Sequence, residues 1–347
     1  MQRVSIQTRF FSFQFSTRSA IVIFVLSLFT VTLLVYALVA GSKILSLADL
    51  SALLLMQPVA EFKQMILGDV RFPRALTALF AGASLGLSGG VFQTVLRNPL
   101  GSPDVLGLSA GSASGVIFSL MFIGQSALLI ATSAIIGGVT TAFLLYFFAL
   151  RKFANDSFRL ILIGIGIGAI ATALNGLMLV KGELDKAMLA TLWMAGSLGG
   201  RTWHHVVYSA LPIIFILPIL VYLQRAITTI EMGDTIASSL GINVTKTRLV
   251  SLLCAALLMA LATAAVGPIA FVALIAPQLA LKLMNKSGFS LVGSALMGST
   301  LLLSADSFLQ ALSLDSHFPV GRMTAALGGL YLLWLLAVPM RARYAPK

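Results

Sequence analysis

The sequence predicts an all-α polytopic membrane protein with about ten transmembrane helices, and two features of its composition lead to this prediction. Of 347 residues, 59% are hydrophobic and only 10% are charged, whereas soluble domains carry about 25% charged residues. The apolar residues are grouped into runs whose lengths are close to the roughly 20 residues that an α-helix needs to cross a bilayer. A soluble globular fold is excluded, because so few charges cannot cover a water-facing surface.

Ten apolar runs are predicted to span the membrane: residues 20–41, 73–95, 103–122, 126–149, 159–180, 204–224, 247–267, 269–284, 289–309 and 321–340. They form one bundle at 20–340 within a single transmembrane domain, 1–347, and an even number of spans places both termini on one side. A segment at 1–19 precedes the bundle and a tail at 341–347 follows it. The run from Ala20 to Ala40 exceeds the 7–15 apolar residues of a signal peptide, so the first span is expected to stay uncleaved.

The distribution of charge predicts the orientation. Cytoplasmic loops of membrane proteins carry the excess of Lys and Arg. With both termini in the cytoplasm, the inner side carries a net charge of +11 and the outer side +1. This asymmetry accounts for the net charge of +12 without a nucleic-acid partner, and the sequence has no interleaved aromatic and basic residues of the kind that bind single strands.

Two connections are long enough to have a function of their own. The outer one, 42–72, contains an apolar stretch from Leu50 to Met56 that predicts a short surface helix. The inner one, 225–246, places apolar residues at helical spacing beside a polar face, and Gly241 is typical of a helix C-terminus. Composition alone leaves two interpretations of this inner helix open: it lies on the lipid headgroups, or it binds a partner protein.

Small residues every four positions, such as Gly82, Gly86 and Gly90, predict close helix packing in lipid rather than a nucleotide site. Two serines fall in G-x-S-x-G patterns, but a serine nucleophile needs a base nearby. The histidines (His204, His205 and His317) all lie at predicted span ends, so the chain is not expected to be an enzyme. A single cysteine, Cys254, excludes an intrachain disulfide and a cysteine-based metal site, and no metal site is predicted.

Ionisable groups inside a membrane are candidate functional residues because they are costly there. Asp306 is the one carboxylate well inside an apolar run. One acid gives little support to an ion-coupled secondary transporter, which usually needs a relay, although that class remains the alternative. Proline-containing breaks at 98–103 and around 267–277 indicate a pathway, because irregular backbone at membrane depth requires protein or water beside it.

Six ordered blocks of sequence carry a resemblance to a known family. They begin with Arg71-Phe72-Pro73-Arg74 and GASLGLSGGVFQTVLRNPLGSPDVLGLSAGSASG at 82–115, and continue with SFRLILIGIGIGA, LWMAGSLGG, EMGDTIASSLGI, VGPIAFVALIAPQLA and FPVGRMTAALGG. The chain resembles the permeases of iron-siderophore, haem and vitamin B12 ABC importers, with the type II importer fold. The blocks RNPLGSPDV, FRLILIGIG, WMAGSLGG and EMGD are most similar to the ferric-enterobactin branch.

The resemblance implies roles for individual residues. Arg71 and Arg74 match outer arginines that dock the substrate-binding protein, and locally they are also ordinary interfacial anchors. A coupling segment that binds the ATPase corresponds to Glu231, Met232, Gly233, Asp234, Ala237, Leu240 and Gly241. The translocation pathway and its cytoplasmic gate correspond to Gln93, Asn98, Pro99, Asp156, Ser157 and Phe158.

Two positions depart from the family pattern. Gln278 stands where many members have histidine, so no role of that histidine is carried over. Arg322 adds an outer cation where many relatives have an aliphatic residue.

The resemblance further implies a multi-pass protein of the bacterial inner membrane that carries a ferric siderophore, most similar to the catecholate enterobactin; haem and vitamin B12 remain alternative cargoes. The implied partners are a second permease, two ABC ATPase subunits and a periplasmic binding protein. The second permease is either a copy of this chain or a paralogue, and the resemblance to the ferric-enterobactin branch favours a paralogue. The chain has no G-x-x-x-x-G-K-[ST] phosphate loop, so it is expected to bind no cofactor itself and to use ATP through the partner subunit.

Overall fold

The computed structural model describes residues 3–7, 12–39, 45–55, 57–150, 157–286, 288–312 and 318–337. In these ranges the chain is helical apart from one antiparallel hairpin of β1 (Arg3–Gln7) and β2 (Ser12–Ser16). The helices are α1 (Thr17–Val39), α2 (Leu47–Leu54), α3 (Glu61–Met65), α4 (Phe72–Leu96), α5 (Leu108–Phe122), α6 (Ala127–Leu145), α7 (Ser157–Lys181), α8 (Leu184–Met194), α9 (Trp203–Glu231), α10 (Asp234–Ser239), α11 (Val244–Val266), α12 (Val272–Met284), α13 (Leu291–Ala311) and α14 (Val320–Ala337).

Every predicted span coincides with a helix, and the protein is a multi-pass membrane protein. By length and composition, seven helices of the described residues are able to cross a membrane: Thr17–Val39, Glu61–Leu96, Ala127–Phe148, Phe158–Lys181, Trp203–Glu231, Val244–Val266 and Leu291–Ala311. Leu108–Phe122 and Val272–Met284 are shorter apolar helices. The hairpin in the N-terminal segment was not expected from an all-α prediction, and α1 begins three residues before the predicted span.

Helix α4 is the centre of the bundle. It continues α3 through a π-helical turn at Ile66–Arg71, which gives one helical stretch from Glu61 to Leu96. Its sides pack against α9, α11, α12 and α13. The predicted glycine packing is confirmed, because a Cβ atom on Gly82 or Gly86 would collide with the backbone of Gly298 or Ser294 in α13.

The predicted inner connection, 225–246, is shorter than expected. Helix α9 does not end near residue 224 but continues to Glu231, because Ile227 and Ile230 remain buried in the core while the residues between them turn polar. At the other end α11 already begins at Val244, where the Asn243 side chain accepts a hydrogen bond from the Lys246 amide. Only residues 232–243 connect the two long helices.

The proline-containing breaks differ from one another. Residues 267–271 are irregular between α11 and α12, as expected, but Pro277 lies inside α12 without ending it. On the outer connection, the predicted surface helix is α2. Its first turn is closed by a capping box between Ser46 and Asp49, and Lys63 of α3 contacts the same carboxylate at 2.8 Å.

Candidate coupling and gate sites

The predicted coupling segment forms a short helix, α10, set between two glycines. Gly233 has φ +132° and Gly241 has φ +78°, a region that favours glycine because it has no Cβ. After the last turn, the amide of Ile242 donates to the Ala237 carbonyl at 3.0 Å, which closes the C-terminus. The sequence therefore fixes both ends of α10, and Gly241 terminates it as predicted.

One side of this segment is apolar and exposed. Met232, Ile236 and Leu240 follow at intervals of four and are 68%, 50% and 68% exposed. Ala237, the residue after Ile236, is fully buried, and α10 packs against α9 and α11. The segment thus presents three large apolar side chains away from the bundle while its other side fixes it in place.

Asp234 joins the coupling segment to two helices of the core. Its Oδ1 atom accepts from the guanidinium of Arg97, at the end of α4, and from Nη2 of Arg248, in α11, at 2.9 Å. Arg97 also donates through Nε to the Ile230 carbonyl at 2.9 Å. Because the Arg248 side chain is only 2% exposed, removal of the carboxylate would leave a buried cation without this counter-charge.

The predicted pathway residues Asn98 and Pro99 directly follow Arg97. The Asn98 carboxamide oxygen accepts from the Leu100 amide at 2.9 Å, and Gln278 of α12 donates to the Pro99 carbonyl at 2.6 Å. Gln93, predicted to line the pathway, is buried and donates to the Leu274 carbonyl at 2.7 Å. The structure therefore brings the α4–α5 connection, α12 and the coupling segment together around Arg97.

The remaining gate residues lie before and at the start of α7. Asp156 is outside the described residues, and for Ser157 only the backbone is described, as the first residue of the helix. Phe158 is 75% exposed. Their role in a gate stays a prediction.

The outer arginines point into the protein. Arg71 is buried and its Nη1 atom donates to the carbonyls of Leu38 and Val39 at 2.8 and 2.7 Å. Arg74 forms a bidentate ion pair with Asp306, with Nη2 to Oδ1 at 2.8 Å and Nε to Oδ2 at 3.1 Å. Docking of a binding protein by these two arginines stays a prediction, and in this conformation their guanidinium groups already have partners.

Asp306, the main candidate for ion coupling, is paired with two side chains. Its side chain is 1% exposed and accepts from Arg74 and from the Gln310 carboxamide, the latter at 2.7 Å. The carboxylate therefore has two side-chain partners among the described residues. Among the described residues there is also no cluster of three or more His, Cys, Asp or Glu side chains that could hold a metal ion.

The turn at Gly196–Gly200 separates α8 from α9. Gly196 and Gly200 both have positive φ, at +68° and +65°. Arg201 closes the turn by donating through Nε to the Ser197 carbonyl at 3.0 Å, and burial lowers the pKa of Arg201 to about 10. The guanidinium remains protonated at neutral pH.

Comparison with known proteins identifies the family. The FecCD transport family model matches residues 26–338. The chain belongs to the FecCD transport family. This membership makes it a permease of the metal-chelate class of ABC importers, and the match covers α4, the coupling segment and the α4–α5 connection alike.

The names of individual relatives of this FecCD-family protein give different chelates as the cargo. It is 44% identical over 279 residues to the ferric enterobactin transport system permease FepG of Escherichia coli K12, covering 80% of this chain and 84% of FepG. It is 35% identical over 277 residues to the hemin permease HmuU of Yersinia pestis, covering 77% and 82% of the two chains. A solved inward-facing structure of a metal-chelate type ABC transporter superposes with a TM-score of 0.81 at 28% identity, covering 91% and 99%.

Proposed function

We propose that this protein is the permease subunit of an ABC importer that moves a ferric siderophore of the catecholate class across the bacterial inner membrane. The exposed apolar surface of Met232, Ile236 and Leu240 carries the importer assignment, because it offers a partner protein a binding face on a segment anchored to the core. The similarity to FepG supports the cargo, since the relatives named for iron(3+)-hydroxamate, Fe(3+)-citrate, achromobactin, hemin or vitamin B12 are only 33–35% identical.

In this proposal the chain supplies a pathway and no chemistry. Two permease subunits, this one and a paralogue or copy, enclose the pathway between them, and two ABC ATPase subunits bind their coupling segments. A periplasmic protein delivers the cargo to the outer face. The FecCD-family membership and the absence of a phosphate loop in the sequence both support this division of labour.

The proposed membrane topology has ten spans with both termini in the cytoplasm. It is supported by the ten helices that coincide with the predicted spans and by the excess of Lys and Arg on one side. This orientation places α10 in the cytoplasm, where an ATPase can reach it, and places the Gly196–Gly200 turn on the periplasmic side.

Motion of the ATPase would reach the gate through Arg97. A displacement of α10 acts on Asp234, and Asp234 holds the arginine that precedes Asn98 and Pro99. The contact between Gln278 and Pro99 extends the same connection to α12. The α4–α5 connection is therefore the part of the pathway that would respond first.

Substitution of the apolar coupling surface tests the assignment. The test variant changes Met232, Ile236 and Leu240 together to Ser. Because all three side chains are exposed, we expect the permease to fold normally. It should no longer co-purify with the ATPase, and ATP-driven uptake should be lost. Leu184 and Met188, exposed on α8 at 84% and 65%, are changed to Ser as the matched control, which should retain both. Undiminished ATPase binding by the first variant would refute the coupling surface.

A further inference from the structure

Glu231, the last residue of α9, contacts a different part of the core from Asp234. Its carboxylate accepts a hydrogen bond from the Phe289 amide and is attracted by the Lys286 ammonium, both on the connection between α12 and α13. The approach is close, because a Cβ atom on Gly288 of the same connection would lie 3.4 Å from Glu231 Oε2. The Glu231 side chain is therefore turned towards this connection, although the residue is exposed.

The carboxylate also lies near the N-terminus of α13. The first amides of a helix have no partner within the helix and give that end a partial positive charge, which an anion stabilises. Helix α13 begins at Leu291, and its N-cap residue, Ser290, makes no side-chain cap hydrogen bond. Glu231 thus supplies a negative charge where the Lys286 ammonium and the start of α13 are both positive.

Phe289 joins this connection to the centre of the bundle. Its side chain is 2% exposed, and a Cβ atom on Gly90 of α4 would lie 2.8 Å from the Phe289 ring. The other helix of the connection, α12, carries Gln278, which donates to the Pro99 carbonyl at 2.6 Å. A displacement of the connection therefore acts on α4 directly and on the α4–α5 connection through α12.

The two carboxylates of the coupling region lie on either side of Gly233. Asp234 contacts arginines of the α4 end and of α11, whereas Glu231 contacts the connection between α12 and α13. Motion of the segment therefore has two separate routes into the core.

We propose that Glu231 is a positioning residue for transport that passes motion of the coupling segment to the connection between α12 and α13, where Lys286 and Phe289 receive it. This inference rests on the proposed function and adds a second route from the coupling segment to the pathway. It gives the Glu231 carboxylate a contact within the permease rather than with the ATPase.

The amount of cargo imported per ATP hydrolysed tests this role. Proteoliposomes that contain the complete transporter receive saturating binding protein loaded with a ferric catecholate. Glu231→Gln keeps an acceptor for the Phe289 amide but loses the attraction to Lys286, so this ratio should fall about threefold. Glu231→Ala loses both contacts, and the ratio should fall about tenfold. Both variants should retain the wild-type Tm and co-purify with the ATPase, because Met232, Ile236 and Leu240 are unchanged.

Lys286→Gln tests the same contact from outside the coupling segment. Lys286 is exposed, and its replacement should lower the ratio about as much as Glu231→Gln does. The double variant should be no worse than either single variant, since each change already removes the shared interaction. Glu183→Gln is the matched control, because Glu183 pairs with Lys186 at 3.2 Å on α8, and it should leave the ratio unchanged.

Three results would overturn the proposal. They are an unchanged ratio in Glu231→Ala, fully additive losses at positions 231 and 286, and loss of ATPase co-purification in Glu231→Gln, which would place the carboxylate on the ATPase surface. Each of these leaves the importer assignment intact. A wild-type transporter without ATP-dependent uptake would instead refute the proposed function, and this role of Glu231 with it.

Discussion

Replacement of Asp234 by Asn tests the link between the coupling segment and the core. The change removes the negative charge that Arg97 and Arg248 share but keeps the size of the side chain. Removing one partner of a buried ion pair costs about 3–5 kcal/mol. Because the Asp234 side chain is 29% exposed and Asn still offers an oxygen, we expect about 2 kcal/mol for the contact with Arg248.

The second contact adds less. The Arg97 side chain is 35% exposed, and an ion pair of that kind contributes about 0.5–1 kcal/mol. The total of about 2–3 kcal/mol should lower the Tm of the purified permease by about 5 °C. Thermal unfolding in detergent measures this, with Asp69→Asn, an exposed acid of the π-helical turn before α4, as a control that should not change the Tm.

The functional part of the same prediction is uncoupling. In the assembled transporter, the ATPase should still hydrolyse ATP while uptake falls at least tenfold, because the segment no longer holds Arg97 beside the gate. A double variant with Arg248→Met should be less destabilised than the sum of the two single variants, since the second change removes the cation left unpaired by the first. A Tm equal to wild type together with full uptake would refute the reasoning.

Three further predictions concern the outer half and the core. Arg74→Ala should destabilise the permease by about 3–5 kcal/mol, because it leaves the Asp306 carboxylate buried without this partner. A double variant with Leu at both positions should recover most of the wild-type Tm. Equal Tm values for the single and the double variant would contradict the pairing. Gly86→Ala should cost about 1–3 kcal/mol in thermal unfolding because α4 and α13 must separate, while Gly176→Ala, with no neighbour within 4 Å, should be neutral. Lys63 holds the pKa of Asp49 at about 2, below its ordinary 3.8, so the contact stabilises α2 above pH 4 and is lost as the pH falls towards 2. The hydrogen-exchange protection factors at 47–54, which are corrected for the pH dependence of intrinsic exchange, should fall over that interval, and unchanged protection would count against it.

Much of the helical architecture could be predicted from sequence because each span is an apolar run of nearly the required length. The end of α9 could not, because the hydropathy falls after Gln224 while Ile227 and Ile230 continue the helical spacing into the core. The periodicity of those two isoleucines was the signal available. Composition alone does not detect a polar helix that extends beyond the apolar run.

The side-chain partners of the candidate site depended on the tertiary fold. Arg74 and Asp306 are 232 positions apart, and Arg97 and Asp234 are 137 apart, so no local pattern joins them. An acid inside a membrane requires a cation as its partner, and this requirement was the one available clue to the pairing of Asp306 with Arg74. The α4–α5 connection is a further case, since Asp104 and Arg322 are 218 positions apart in the sequence and line one cleft in the structure.

The central claim is that ATP-driven partners act on this chain to import a ferric siderophore. Its most direct test is uptake of a ⁵⁵Fe-labelled ferric catecholate into proteoliposomes that contain the complete transporter and its binding protein. The account predicts uptake that requires ATP, continues when all ion gradients are abolished, and is lost in the Met232, Ile236 and Leu240 triple variant. Uptake driven by an ion gradient in the absence of ATP would contradict it.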